Sequence, residues 1–337
     1  MLVSPKKYLV AAATMIALLT SCAGGSSTPP TPNASQQNQS RARRNSTPCP
    51  CLYVTNLAAN SVTVYAGAAT GNARPIQNIA GGSTGLTQPY DIAVDGNGNM
   101  YVANSGNSSV TVYAAGATGN ATPIQTIQGS YTGLSTPYGI ALNPQNGNIY
   151  VANVGGASVT IYSPGATGNV APIGTLAGTR TKLSSPAGLL LDASGNVYVP
   201  NLNDSVTVFA AGSVGNVAPT QTITGSRTKL AGPYQLALDS SLNIYVDNYD
   251  GSPYSITVYA AGANRNVGPL RTIKGGATKL SGPNGIALDS SGNTYVANYS
   301  SSWITVYAAG ANGRVAPINT IKGARTDLDG PEGIAFR

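Results

Sequence analysis

The chain has 337 residues, 18 basic and 11 acidic side chains, a formal charge of +7 and no histidine. Charged residues are 9% of the total, far below the usual quarter, so the surface must be built from Ser, Thr, Asn, Gly and Tyr. Without histidine there is no imidazole base, no Ser-His-Asp triad and no imidazole metal ligand, and basic residues scattered over loops are not the footprint of a nucleic-acid binder.

In chain order, Lys6 and Lys7 precede an apolar run from Leu9 to Leu19, and Leu19-Thr20-Ser21-Cys22 follows. A basic start, a short apolar stretch and small residues before the cut describe a secretory signal over residues 1–21, too short for a good membrane span. Its end resembles a bacterial lipobox. That resemblance implies cleavage before Cys22, a diacylglyceryl thioether on Cys22, and a chain exported and lipid-anchored in the cell envelope. Ala23 in place of Asp resembles an outer-membrane sorting signal where two membranes exist. Residues 22–50 are Gly, Ser, Thr, Pro, Asn and Gln with almost no large apolar residue, a composition that cannot offset ordering entropy. They read as a flexible tether reaching roughly 25–30 Å, in which Arg41, Arg43 and Arg44 either touch anionic head groups or are simply solvated. Cys49 and Cys51 flank Pro50. A disulfide two residues apart is strained, so free thiols, a labile bridge or an intermolecular bridge remain open. Two thiols without histidine make a poor zinc site.

From residue 51 to 337 the chain repeats. Tyr-Val-x-Asn begins at Tyr53, Tyr101, Tyr150, Tyr198, Tyr245 and Tyr295, 47 to 50 residues apart. Each unit divides into four short strands. Strand a is of the type Ile286-Ala-Leu-Asp289, and strand b is the Tyr-Val-x-Asn phrase. Strand c is of the type Val62-Thr-Val-Tyr65, and strand d lies within Pro123–Gly129 and its copies. β-branched and aromatic residues punctuated by Gly, Pro and Asn argue for strands. Four antiparallel strands per unit make the blade of a propeller. The first unit lacks strand a, and residues 331–337 are an unpaired strand a. Pairing Ile334–Phe336 with Leu52–Asn56 completes a sixth blade and removes the exposed edges. The expected fold is therefore an all-β, six-bladed propeller of four-stranded antiparallel blades, closed by the C-terminal strand.

The run from Pro283 to Asn298, PNGIALDSSGNTYVAN, resembles an NHL repeat, and the resemblance extends over residues 51–337. It implies a six-bladed propeller. Asn stands in all six units where the family carries an acidic residue after Tyr-Val-Ala, and Ser or Trp303 where a basic residue often opens the third strand. Virginiamycin B lyases are built from similar repeats but resemble a histidine-dependent enzyme, whose mechanism this chain cannot share. Gluconolactonase-type propellers imply a divalent metal on Glu, Asn and Asp at the channel mouth. Here Glu332, Asp91 and the repeated Asn are the candidates, chemically suited to such an ion.

The Asp ending strand a (Asp95, Asp192, Asp239, Asp289) reads as an Asx-turn, not a calcium loop. The repeated Asn (Asn56, Asn104, Asn153, Asn201, Asn248, Asn298) reads as a loop staple. Departures from the repeat are the better guide to function. The b–c loops after Asn248 and Asn298 carry Tyr249, Asp250, Tyr254, Tyr299 and Trp303, and the next d–a loop brings Asp327, Asp329 and Glu332. Strand direction puts all of these on one face of the disc, and Asp247 joins them. Aromatic faces beside carboxylates suit a sugar or a cationic side chain; packing between blades is the plainer role for Tyr254 and Trp303. Arg180, Lys182, Arg227, Lys229 and Lys279 hold matching places in three successive d–a loops. The expectation is a non-catalytic binding module for an envelope or extracellular protein or glycan, with no cofactor, no metal and no nucleic acid. The ligand site is placed at Asp247, Tyr249, Asp250, Tyr254, Tyr299, Trp303 and Glu332. A metal-dependent lactonase or hydrolase and a passive surface protein are the alternatives.

Overall fold

The computed structural model describes residues 50–337. The expected signal peptide and tether, with Cys22, Arg41, Arg43, Arg44 and Cys49, lie outside the described residues. Twenty-four strands, β1–β24 in chain order, form six antiparallel sheets of four. Five sheets are consecutive in sequence (blades 2 to 6, residues 89–127, 137–176, 190–224, 233–274 and 283–321). Blade 1 is composite: β24 (Pro331–Phe336) lies beside β1 (Cys51–Asn56), then β2 (Ser61–Ala66) and β3 (Gln77–Ile79). The closing register pairs Leu52 with Phe336, Tyr53 with Ala335 and Val54 with Ile334. The amide of Cys51 donates to the Arg337 carbonyl at 2.7 Å.

The core lies between blades rather than within one sheet. Strand alternation points Val62, Val64 and Ile79 of blade 1 at Ile92, Met100, Val102 and Tyr113 of blade 2, all buried. The same sandwich recurs around the ring, each fully buried aliphatic side chain contributing about 1.5–3 kcal/mol. Because every face is shared, no blade is stable by itself.

Polar staples repeat with the same period. The six repeated asparagines are fully buried. Asn104 donates to Thr111 Oγ1 at 3.0 Å and accepts from the amide of Thr87, and Asn153 and Asn298 do the same one and four blades on. The phenol closing strand c reaches into the d–a loop beside it: Tyr113 donates to the Thr84 carbonyl at 2.5 Å and Tyr162 to that of Thr132 at 2.6 Å. Blade 4 has Phe209 in that place and forgoes the bond. At the rim, each c–d loop adds a parallel bridge to strand d of the preceding blade, as Gly119 to Ile79 and Gly215 to Leu176. Gly71 to Ile321 makes the same bridge at the closure. The aspartates ending strand a form Asx-turns: Asp95 Oδ1 accepts from the amides of Asn97 and Asn99 at 2.8 and 2.9 Å.

Candidate functional site

The inner strand of most blades begins with Pro and then slips register. The slip lies between Pro89 and Asp91, Pro137 and Gly139, Pro233 and Leu236, Pro283 and Gly285, and Pro331 and Ile334. A bulge re-aims the extra side chain, here at the channel mouth. Blade 4 has Pro186 in the same place, paired with Asn201 as an isolated bridge, and the residues after the six prolines are Tyr90, Tyr138, Ala187, Tyr234, Asn284 and Glu332. The next layer down holds only two side chains, Asp91 and Gln235, with glycine at the other four positions. A Cβ at Gly333 would sit 2.5 Å from the Asp91 Cα, so the close approach of inner strands depends on glycine there. Asp91 and Gln235 come from opposite blades and face each other across the axis. Below them a cavity of about 330 Å³ is lined by aliphatic side chains such as Ile140, Leu189, Leu236 and Ile286.

Above that floor is a tyrosine arc. Tyr90 stacks on Tyr138 with ring centroids 3.7 Å apart and an interplanar angle of 11°. The hydroxyls of Tyr90 and Tyr234, on opposite blades, meet at 2.9 Å. Tyr249 continues the arc 5.5 Å from Tyr234, and Tyr254 lies 6.4 Å beyond Tyr249. The ring is completed by Ala187 and by Asn284 and Glu332, the last two joined by a 3.0 Å bond from Asn284 Nδ2 to Glu332 Oε1.

Three carboxyl groups are buried around this mouth: Asp91, Asp247 and Glu332. Asp247 sits opposite the blade 5 bulge, and its Oδ1 accepts both freed amides, Tyr234 at 3.3 Å and Gln235 at 2.6 Å. Asp91 accepts from the amides of Ile92 and Ile140. Burial pushes Asp91 up to about 7 in spite of those bonds. Burial raises Asp247 and Glu332 well above the usual carboxylate range, and the mutual repulsion of the acids adds to it. Burial and then Glu332 also raise Tyr90 and Tyr234. Three acceptor oxygens in this group are buried with no partner: Asp247 Oδ2, Asn284 Oδ1 and Glu332 Oε2.

An oxygen-only donor set of this kind fits a hard cation such as calcium or magnesium, and the unpartnered acceptors are the observation that favours one. Among the described residues no three acidic side chains are arranged as ligands of a single ion. A cation would rest on Glu332, Asp247 and the amide oxygen of Asn284.

Of the residues expected to form the site, Asp247 and Glu332 are brought together in the mouth, and Tyr249 and Tyr254 belong to the arc above it. Tyr299 packs against Gly330. Asp250 is exposed over Gly232, and Asp327 is at the rim, bonded to Asn78 at 3.1 Å. Trp303 opens an outer strand, half-buried, with the Lys322 ammonium 4.3 Å from its ring centre. Sequence reasoning missed Tyr90, Tyr138, Tyr234, Gln235 and Asn284. The signal for them was divergence at one repeat position, the residue after the inner-strand proline.

The family model described as SMP-30/Gluconolactonase/LRE-like region matches residues 33–226. No curated protein sequence matches the chain. Solved structures share the fold at low identity. A protein of unknown function from Bacteroides caccae is similar at TM-score 0.62 and 12% identity, over 86% of this chain and 99% of its own. A chain of a nidogen/laminin complex gives 0.58 and 14%, over 86% and 98%. A streptogramin B lyase gives 0.57 and 14%, over 86% and 88%. The expectation of a non-catalytic module is corrected by these findings: the matching family carries a gluconolactonase in its description, and a propeller of this fold is a lyase. Lack of histidine removes one kind of base but leaves carboxyl chemistry. The carboxyls concerned, far apart in sequence, meet only once the ring has closed.

Proposed function

We propose that this chain, which belongs to the SMP-30/gluconolactonase/LRE-like family, is an exported enzyme that opens an ester or lactone of a sugar acid at its channel mouth. The observation that carries the reading is the trio of buried, unpartnered acceptors, Asp247 Oδ2, Asn284 Oδ1 and Glu332 Oε2, beneath a tyrosine arc. Buried acceptors are normally paired, and sugar hydroxyls are donors of the right kind. Tyrosine faces offer a stacking surface to the C–H side of a sugar ring. Hydrolysis adds water to the acyl carbon and breaks its bond to the leaving oxygen; Glu332, whose protonated form burial favours, is placed to give that oxygen its proton, and Asn284 fixes its orientation through Oε1. A hard cation, when bound, would require Glu332 ionised and would polarise the carbonyl as a Lewis acid in place of that proton donor.

Hydrolysis of a panel of aldonolactones and sugar esters, followed by pH-stat with and without calcium, magnesium or manganese, tests this. Glu332→Gln keeps the shape and removes the acid, so turnover should fall by about 10²-fold or more. No turnover of any member under any of these conditions, or an unimpaired variant, would overturn it.

The location is part of the same proposal. A lipid on Cys22 and the tether over residues 22–50 would hold the propeller at an envelope membrane, an NHL-like module displayed outside the cytoplasm. Cys22→Ser should abolish fatty-acid labelling and release the protein from the membrane fraction. Capture of a protein or glycan partner on the same loop face is compatible with this reading, since Tyr249 and Tyr254 extend the arc outward on the b–c loop.

A further inference from the structure

The d–a loops run like spokes from the rim to the channel, and each contains three residues at positive φ. The middle one is, in blade order, Gly85 and Gly133, then Lys182, Lys229 and Lys279 at φ 58°, 60° and 62°, then Asp327, and the third is Gln88, Thr136 and Ser185 in three loops and glycine in the others. Glycine takes this conformation without a steric penalty, whereas a side chain with a Cβ crowds the following carbonyl. The turn itself is the same in each loop: a buried Thr donates from Oγ1 to the preceding Gly carbonyl, as Thr132 to Gly129 at 2.8 Å and Thr228 to Gly225 at 2.7 Å. The fold is thus served by glycine in two loops, and lysine in the next three is not explained by architecture. Arg180 and Arg227 stand two residues before Lys182 and Lys229, and all five cations are exposed.

The surroundings of these cations are polar. Lys182 and Arg265 line one inter-blade groove of about 410 Å³, whose walls include Thr220, Thr222, Asn264 and Asn266. Three acidic side chains, Asp91, Asp247 and Glu332, are turned inward and buried, and the exposed Asp204 and Asp250, both at Gly232 of the Lys229 loop, are outnumbered by the five cations of the arc. Five residues separate Lys182 from Ala187 at the mouth, at most about 18 Å of chain.

We infer that this basic arc docks an acidic polysaccharide and leads it to the channel mouth. Regularly repeated cations suit an anion that repeats along a chain, and Thr hydroxyls and Asn amides on the groove walls match sugar hydroxyls. The polypeptide enters the propeller at Pro50, which packs on Gly67 and borders the a–b turn at Asp289–Ser291. That is the face opposite the lysine-bearing loops, so the entering chain leaves the arc open to a polyanion. The inference deepens the proposed activity by naming a uronate-rich substrate, and it rests on that reading only for the final step at the mouth.

The test is binding of the full-length protein to polygalacturonate, dextran and phosphatidylglycerol vesicles, by calorimetry at two salt concentrations. Polygalacturonate should bind, and dextran should not. Salt should weaken the binding, as counterion release requires. Lys182→Asn/Lys229→Asn/Lys279→Asn keeps residues that tolerate the left-handed region; affinity should fall at least about tenfold with the melting temperature unchanged or raised. Arg180→Gln/Arg227→Gln, which leaves the turn residue alone, should weaken binding in the same direction. Glu332→Gln should leave this binding intact, which separates a failure of the mouth chemistry from a failure of the arc. Wild-type affinity in both the lysine and arginine variants, or vesicles bound through these lysines in preference to polygalacturonate, would overturn the inference.

Discussion

The rim and the mouth of this propeller are made from the same repeat but obey different rules. At the rim the copies agree. The buried Asn, the Thr of the d–a turn, the phenol of strand c and the parallel bridge recur blade after blade. At the mouth they disagree, with Tyr90, Tyr138, Ala187, Tyr234, Asn284 and Glu332 in equivalent places. A residue that every blade needs is holding the ring together. A position free to differ lies where closure makes no demand on it, and chemistry can occupy it. The bulges supply the physical link, because in five of the six blades they release an inner-strand residue from pairing and aim it at the axis.

The most severe way to break the rim is to remove its last strand. Deleting residues 331–337 strips β24 from β1 and takes Ile334 and Phe336 out of the interface with blade 6. The edge left behind is unpaired and flat, so the truncated protein should fail to fold or should aggregate. Light scattering and far-ultraviolet circular dichroism would show it. A truncated chain with unaltered melting would mean that the ring does not depend on its closure.

A second experiment separates mouth from rim by pH. Asp91 has its native value raised to about 7 from 3.8, and Asp247 and Glu332 move in the same direction. A group raised on folding gives its full stabilisation below its unfolded value. Between about pH 4 and pH 7 the unfolded chain ionises while the native mouth keeps its protons, so stability falls as pH rises. Above about 7 Asp91 ionises in the native state as well and its loss levels off. For Asp91 alone the fall is at most roughly 4 kcal/mol. Urea midpoints should therefore be higher at pH 4.5 than at pH 8, and Asp91→Asn should flatten the difference. A protein more stable at pH 8 in the absence of added cations would contradict the burial of these acids.

The propeller was legible in the sequence because a repeat reports strand period, turn residues and blade count at once. The incomplete first unit together with the spare strand at residues 331–337 identified the two segments that pair at the closure, whose register the structure supplies. The staple role of Asn104 and its copies and the Asx-turn at Asp95 followed from residue type and spacing. The mouth was only half legible. Asp247, Tyr249, Tyr254 and Glu332 stood out as departures from consensus, but Trp303 stood out equally and lies against Lys322 on an outer strand. Rarity of a residue type does not say which way its side chain points. Tyr90, Tyr138 and Tyr234 looked ordinary because tyrosine is common throughout the chain, and a register slip at each inner strand, which decides their direction, leaves no mark in composition. A lactonase-type site on Glu332 and Asp91 was weighed from the sequence and set second, because the burial that gathers these acids with Asp247, from blades 1, 2 and 5, arises only in the closed ring.

The smallest expected effect sharpens the rim rule by repairing its exception. In five joints a c–d loop Asn accepts a backbone amide from the d–a loop of the preceding blade. Asn120 takes that of Ser83 at 2.7 Å, Asn169 that of Tyr131 at 2.7 Å, and Asn216 that of Arg180 at 2.8 Å. Asn266 takes Arg227 at 2.7 Å, and Asn72 takes Arg325 at 2.8 Å across the closure. At the sixth joint, between blades 5 and 6, the loop presents Arg314 over Gly275. A guanidinium has no acceptor to offer the amide of Ala277. Arg314→Asn should supply the missing bond and stabilise the domain by about 0.5–1.5 kcal/mol, which corresponds to a rise in melting temperature of about 2–4 °C for each kcal/mol. The reciprocal change, Asn120→Arg, should lower stability by a similar amount. If Arg314→Asn lowers the urea midpoint instead, the arginine is making a contact at that joint worth more than the staple, and agreement among copies is a poorer guide to architecture than the other five joints suggest.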